Sequence, residues 1–192
     1  IIERLADIKI KPIRVTDYNA AVESMRAGRA HIAWYGGKTY IQAAEMAGAE
    51  AFAAGVRKGD DTAGYYAYFV VPVDSPLKAL EDVRGQILGL NSIGSTSGDL
   101  IPQVELMKIG LSTKNKDDFA KVFYAGSHDA CLLAAINKHV DVCGMSSRNF
   151  DARLADGTFK LEQVRILYRF ILVPPPPLAY SKKLSVELRD RI

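Results

Sequence analysis

The residues best suited to chemistry in this sequence form a short loop rich in hydroxyl groups, Ser95-Thr96-Ser97-Gly98, which we call the hydroxyl loop. It follows the apolar run Ile87–Leu90 and precedes a segment with helical spacing of apolar residues. A helix start offers unpaired N–H groups and a partial positive charge, and the hydroxyls add neutral donors that suit a tetrahedral oxyanion. Ser and Thr also commonly cap helices, so capping and anion binding both stay open at this point. The loop lacks the Lys of a nucleotide P-loop, which argues against nucleotide binding.

A second candidate is Gly126-Ser127-His128-Asp129, again between a predicted strand and a predicted helix. His128 is suited to donate to an anion or to act as a base. Neighbouring residues on a helix point in different directions, so we expect Asp129 to be a first-turn charge rather than the group that orients His128. A capping histidine on a surface turn is the alternative interpretation.

Aromatic residues form the third group of candidates. Tyr18 follows a predicted strand, Trp34 ends one, and Tyr65 begins one. Most such residues belong to a core. In open α/β sheets, however, ligands bind beyond the carboxyl ends of the strands, and Tyr18, Trp34, Ser95 and His128 all fall at such positions.

The elements that must position these residues alternate between short β-rich runs and helical segments. This alternation predicts βαβ units, a mostly parallel sheet and the α/β class. The predicted strands are Ile8–Val15, His31–Tyr35, Tyr65–Val71, Ile87–Leu90, Lys121–Tyr124, Val140–Met145, Val164–Tyr168 and Leu178–Tyr180.

Composition and charge exclude several classes of protein. The 192 residues are 48% hydrophobic and 24% charged with a net charge of +3, which is typical of a globular protein and gives no indication of nucleic-acid binding. No apolar run approaches the roughly 20 residues of a membrane-spanning helix. The spacing of Cys131 and Cys143 suits no metal, and we expect two free cysteines that pack as small hydrophobes. Because the chain starts at Ile1 and stops as a helix begins, we expect truncation at both ends.

Several motifs occurring together resemble the phosphonate/phosphite substrate-binding proteins of bacterial ABC importers, members of the type II periplasmic-binding superfamily. The resemblance covers nearly the whole chain. The motifs that carry it are Asp17-Tyr18, Ala33-Trp34-Tyr35-Gly36, Gly64-Tyr65-Tyr66, the hydroxyl loop with Pro102, Gly126-Ser127-His128-Asp129 and Val140-Asp141-Val142.

The resemblance implies two α/β lobes that close on a ligand, with residues 1–72 and 168–192 in lobe one and residues 73–167 in lobe two. It also implies which residues bind the phosphorus oxyanion. From lobe two these are Ser95, Thr96, Ser97 and His128, and from lobe one Tyr18 and Tyr65.

Two departures from the family bear on the ligand. Members that bind aminoalkylphosphonates hold the ammonium group with acidic residues, and at the corresponding places this chain has Arg148 and Pro176. A buried ammonium without a carboxylate partner is strongly disfavoured. Trp34 is a further candidate for specificity. The resemblance therefore favours a small ligand, namely phosphite, methylphosphonate, hypophosphite or phosphate, over 2-aminoethylphosphonate.

The function expected from this resemblance is extracytoplasmic capture of the ligand and delivery to the transmembrane subunits of an ABC permease, without a cofactor or metal. One alternative is a receptor of the same fold for another small anion, such as a sulfonate. Another is a hydrolase that uses Ser95 or Ser97 with His128. The hydrolase lacks support because no G-x-S-x-G motif is present and no well-placed carboxylate would orient the histidine.

Overall fold

The computed structural model describes Glu3, residues 7–56 and residues 64–192. Its described helices of six or more residues are α1 (Tyr18–Arg26), α2 (Gly37–Ala47), α3 (Ile101–Lys108), α4 (His128–Ile136), α5 (Ser147–Ala155) and α6 (Val186–Arg191). Its described strands are β1 (Ile32–Trp34), β2 (Ala49–Ala54), β3 (Tyr65–Pro72), β4 (Ile87–Leu90), β5 (Lys121–Tyr124), β6 (Val142–Ser146), β7 (Val164–Val173) and β8 (Pro177–Ser181). Within these described ranges, no helix has the length and apolarity needed to cross a membrane.

The chain divides into two compact units. The first comprises Ile1–Lys58 with Pro175–Ile192, and the second comprises Gly59–Pro174. The resemblance had placed the boundaries at residues 72 and 168. In the structure β3 pairs with β6 and β7, so this strand, with Tyr65 at its start, belongs to the second unit and not to the first.

The first unit contains an antiparallel sheet in the order β1-β8-β2, with α1 and α2 packed together. Asp17 caps α1 by accepting a hydrogen bond from the Ala20 N–H at 2.9 Å. Gly48 ends α2 in the left-handed conformation that favours glycine. The hydrophobic core of this unit is a small cluster of buried residues that includes Val22, Met25, Tyr35, Ala43 and Ala179.

The second unit contains a sheet in the order β5-β4-β6-β3-β7. Strand β4 runs parallel to both β5 and β6, whereas β3 is antiparallel to β6 and β7. The α/β class is confirmed, but one sheet is antiparallel and the other is mixed, whereas the sequence predicts a mostly parallel sheet. The predicted strand Tyr65–Val71 is confirmed as β3, and a continuous apolar run of this kind does not specify the direction of its neighbours.

The parallel part of this sheet positions the candidate site. Because β4, β5 and β6 are parallel, their carboxyl ends meet at one edge of the sheet. The chain enters a helical segment after each of these strands, at Thr96, at His128 and at Ser147 respectively. Three helix starts with their unpaired N–H groups therefore lie along the same edge.

Two further sequence predictions are wrong. Residues 8–15 form no strand and are almost all exposed; Pro12 lies in their middle, and no described strand pairs with them. Cys131 and Cys143 are not free but joined by a disulfide, with 5.8 Å between their Cα atoms. The sequence did not reveal this pairing because it depends on how closely α4 approaches β6.

Candidate anion-binding site

The hydroxyl loop is buried and wound into the start of a helix. Ser95 and Ser97 are 1% and 2% exposed, and Thr96–Leu100 forms a π-helical turn that continues into α3. The Ser95 Oγ accepts a hydrogen bond from the Gly98 N–H at 3.0 Å, so it caps this turn. Capping leaves the hydroxyl hydrogen of Ser95 available as a donor. The two sequence interpretations of the loop are thus compatible.

Asn91, which the sequence analysis did not select, joins two loops of the site. Its N–H donates to the Gly98 carbonyl at 2.9 Å, and its own carbonyl accepts from the Gly126 N–H at 2.7 Å. Its side-chain amide lies 3.3 Å from the Ser95 Oγ. Its position directly after a buried strand was the available signal.

Gly98 allows the imidazole of His128 to lie against the hydroxyl loop. A Cβ atom placed on Gly98 would lie 3.1 Å from the His128 Cε1 and only 2.5 Å from the Asn91 Cβ. A Cβ on Gly144 of β6 would likewise lie 3.2 Å from the Gly98 carbonyl oxygen. Glycine at these positions lets the hydroxyl loop, α4 and β6 converge.

His128 is buried, oriented and neutral. It is 8% exposed, and burial lowers the pKa of its imidazole to about 4. Its Nδ1 accepts a hydrogen bond from the Ser146 N–H at 3.4 Å. A neutral imidazole that accepts at Nδ1 carries its proton on Nε2. His128 therefore offers one neutral N–H donor.

The start of α5 adds Tyr65 and Arg148 to this region of the second unit. Ser147 accepts a hydrogen bond from the Tyr66 N–H at its Oγ, 3.0 Å away. The next residue, Arg148, has its guanidinium carbon 5.3 Å from the centre of the Tyr65 ring, a cation–π distance. A positive charge is thus held beside a buried aromatic ring, two residues from the Ser146 N–H that contacts His128.

A buried carboxylate supports the hydroxyl loop. Asp99 is fully buried in the π-helical turn and accepts hydrogen bonds from the Tyr124 hydroxyl at 2.9 Å and the Gln103 amide at 2.5 Å. Burial, reinforced by Asp99, raises the pKa of Tyr124 to about 12, so the phenol remains a donor. The Thr113 hydroxyl in turn donates to Gln103 at 2.7 Å. This network fixes the turn to the end of β5.

The structure brings some of the predicted residues together in one unit. Ser95, Thr96, Ser97 and His128 lie at the common edge of β4, β5 and β6, and Tyr65 and Arg148 lie beside the Ser146–Ser147 segment. Three others belong to the first unit: Tyr18 begins α1, Trp34 ends β1 with 59% of its surface exposed, and Pro176 lies between β7 and β8. In the part of the chain that the structure describes, no three metal-ligating side chains gather.

Comparison with known proteins gives concordant matches. A family model described as the periplasmic substrate-binding protein of a phosphonate ABC transporter matches residues 1–192. The chain is 29% identical to the phosphonates-binding periplasmic protein of Escherichia coli, over 99% of this chain but only 56% of that protein. The chain therefore spans little more than half the length of this relative.

Solved structures show the same fold. A binding protein component of an ABC phosphonate transporter from Pseudomonas aeruginosa superposes with a TM-score of 0.90 at 26% identity, covering 99% of this chain and 63% of that one. PhnD1 of Prochlorococcus marinus, solved in complex with methylphosphonate, gives 0.82 at 21% identity, covering 100% and 74%. The aliphatic sulphonate binding protein of Escherichia coli is more distant, with 0.63 at 20% identity, covering 94% and 57%.

Proposed function

Because the chain belongs to the family of periplasmic substrate-binding proteins of phosphonate ABC transporters, we propose that it captures a small phosphorus oxyanion for delivery to an ABC permease. Phosphite and methylphosphonate are the ligands that we favour. The observation that carries the proposal is the convergence of buried hydroxyls with the neutral His128 at three helix starts. In this proposal the protein acts outside the cytoplasm, as the family does.

Neutral donors suit reversible capture of an anion. The hydroxyls of Ser95, Thr96 and Ser97 and the Nε2–H of His128 would bind the phosphorus oxygens. Helix N-termini add partial positive charge at the same edge, and hydrogen bonds to an anion are about twice as strong as those between neutral groups. Binding of this kind needs no nucleophile and leaves the ligand chemically unchanged.

The histidine geometry favours binding over hydrolysis. A serine hydrolase needs an unprotonated imidazole nitrogen facing the serine and a carboxylate that holds the proton on the other nitrogen. In this chain Nδ1 accepts from the Ser146 N–H, so Nε2 already carries the proton. His128 in this tautomer donates and does not take a proton from a serine. We therefore propose a transport function without catalysis.

Arg148 carries the proposed specificity. Its guanidinium beside Tyr65 would repel an ammonium group on the ligand. Pro176, at the second place where members that bind aminoalkylphosphonates have an acidic residue, offers no charge to such a group. We accordingly expect phosphonates without an amino group to bind better than 2-aminoethylphosphonate.

Tyr18 stays a predicted ligand residue, and Trp34 stays a predicted specificity residue. The prediction for Tyr18 rests on the family resemblance and that for Trp34 on its place at the end of β1. Tyr65 is a predicted ligand residue of the second unit, where its ring contacts Arg148.

Isothermal titration calorimetry of the purified protein tests the proposal. The panel is phosphite, methylphosphonate, phosphate, 2-aminoethylphosphonate, sulfate and taurine. Binding of phosphite or methylphosphonate, with much weaker binding of the amino compound, is the expected result. If sulfate or taurine bound while every phosphorus compound failed, the protein would instead be a receptor for sulfur oxyanions.

A further inference from the structure

Two separate bonds join α4 to β6 in the second unit. One is the hydrogen bond from the Ser146 N–H to the Nδ1 of His128, 3.4 Å long. The other is the disulfide between Cys131 and Cys143. On α4 the two attachment points are three residues apart, and on β6 they are also three residues apart, in reverse order. The disulfide and the hydrogen bond of His128 therefore fix the same alignment of α4 along β6.

The helix geometry couples the two bonds mechanically. Residues three apart on a helix lie on the same face, so His128 and Cys131 both face β6. Both cysteines are fully buried in a packed cluster with Leu132 and Met145. A covalent bond there sets how close the first turns of α4 come to β6, and that distance decides whether the Ser146 N–H reaches Nδ1.

We propose that the Cys131–Cys143 disulfide is a positioning element for His128, and that its loss weakens phosphorus-oxyanion binding. Reduction by a dithiol transfers two electrons and two protons and leaves two thiols, whose sulfurs no longer stay at bonding distance. In a close-packed core two non-bonded sulfurs need more space than a disulfide, so α4 shifts away from β6. The Nδ1 contact lengthens, and the donor on Nε2 loses its fixed direction.

This inference rests on the proposed function, because it assigns the Nε2–H of His128 to the ligand. Affinity for methylphosphonate is measured for the oxidised protein, for the protein reduced with dithiothreitol, and for the Cys131→Ala/Cys143→Ala variant. Thiol titration verifies each redox state. We expect a loss of about fivefold without the disulfide, which is part of the contribution of one hydrogen bond to an anion.

A double-mutant cycle with His128→Ala separates positioning from general loosening. In the His128→Ala background the disulfide no longer positions a ligand-binding group, so its removal should change the affinity for methylphosphonate little further. Leu80→Ala is the matched control, because Leu80 is buried in the other core cluster of the same unit. It lowers the melting temperature without changing the affinity.

Nitrogen-15 NMR of the imidazoles gives a readout that does not depend on the ligand. The chain has three histidines, so the His128 signals are assigned by their loss in His128→Ala. We expect these signals to move on reduction while those of His31 and His139 stay fixed.

Three results would overturn the inference: free thiols in the native protein, equal losses of affinity with and without His128, or His128 signals unchanged by reduction. If no phosphorus oxyanion binds the oxidised protein, the proposed function fails, and the NMR experiment alone decides whether the disulfide positions His128.

Discussion

Ser95 and Ser185 cap their helical segments with the same bond but in different surroundings. Each side chain accepts a hydrogen bond from the N–H three residues later, Gly98 at 3.0 Å and Leu188 at 3.3 Å. Ser95 is 1% exposed and also contacts the Asn91 amide, whereas Ser185 is exposed and begins the short helix α6. A cap on its own says little about function; the burial of its donors distinguishes the two sites.

The physical reason lies in the cost of burying polar groups. An exposed cap can exchange its partner with water, so Ser185 contributes only to its own helix. Donors that are withdrawn from water are costly to leave without a partner. At the Ser95 site the buried hydroxyls of Ser95 and Ser97 and the imidazole of His128 lie at one edge of the sheet. In the proposed function an anion accepts hydrogen bonds from these groups and compensates part of the cost of their burial.

Of the substitutions that we propose, removal of hydroxyl groups should show the largest difference in ligand affinity between the Ser95 cap and the Ser185 cap. We expect Ser95→Ala combined with Thr96→Val to weaken phosphorus-oxyanion binding by about 3–6 kcal/mol, because a hydrogen bond to a charged group contributes about 1.5–3 kcal/mol. Calorimetric titration measures the loss.

The matched control is Ser185→Ala. It removes a cap worth about 1 kcal/mol of helix stability and should leave the affinity unchanged. Full affinity in the double variant would show that the hydroxyl loop only caps its helix, as Ser185 does.

The pH dependence of stability should show the same contrast between buried and exposed groups. The pKa of His128 is about 4 in the folded state, below the ordinary value of about 6.5. Between these values the unfolded chain binds a proton that the folded chain does not. Stability is therefore complete above pH 6.5 and falls by on the order of 3 kcal/mol as the pH drops toward 4.

Urea unfolding at pH 7.5 and 4.5 tests this expectation in the wild type and in His128→Gln. The free energy of unfolding should differ much less between the two pH values in His128→Gln than in the wild type. His139→Gln is the control, because His139 is exposed. The carboxyl groups with lowered pKa act in a different range: the Ser112 N–H holds the pKa of Asp118 below its ordinary value, so its effect appears below about pH 4. An unchanged pH dependence in His128→Gln would show that His128 titrates normally.

The sequence predicted the elements around the site more accurately than their arrangement. Strands β4 and β5 have their predicted bounds, and the helix start at His128 is where the turn residues placed it. These features depend on local patterns of apolar and capping residues. The resemblance groups Tyr65 with residues 1–72, whereas β3 joins the sheet of the second unit through partners 73 to 108 residues later in the chain.

Residue type alone also did not predict how the site is supported. Asp99 looks like an ordinary first-turn acidic residue, yet it is buried beneath the hydroxyl loop with Tyr124 as its donor. The pairing of Cys131 and Cys143 likewise depends on the approach of α4 to β6. Both are contacts across the fold, and a pattern read along one segment contains no information about them.

A methyl group on Gly98 should damage the buried site while a methyl group elsewhere does not. In Gly98→Ala the new carbon meets Asn91 at 2.5 Å and His128 at 3.1 Å, so the loop or the imidazole must move. We expect about 2 kcal/mol lower stability and at least tenfold weaker ligand binding. Gly110→Ala is the control, because Gly110 has a φ of +75° with no atom near the added carbon. It should lose stability and keep its affinity, and equal affinities in the two variants would contradict the close approach at Gly98.

The smallest effect that we expect concerns selectivity. Arg148→Glu replaces the positive charge beside Tyr65 by a carboxylate, the kind of group that an ammonium requires. Because this charge acts near a partly solvated edge, we expect a shift of about 1 kcal/mol, or roughly fivefold, in the affinity ratio of 2-aminoethylphosphonate to methylphosphonate. Competition calorimetry measures the ratio. Arg153→Glu lies on the same helix and changes the net charge equally, but Arg153 pairs with Asp129 and Asp156 on the surface. The same shift in both variants would assign the effect to net charge, whereas a shift confined to residue 148 would assign the choice of ligand to the cation beside Tyr65.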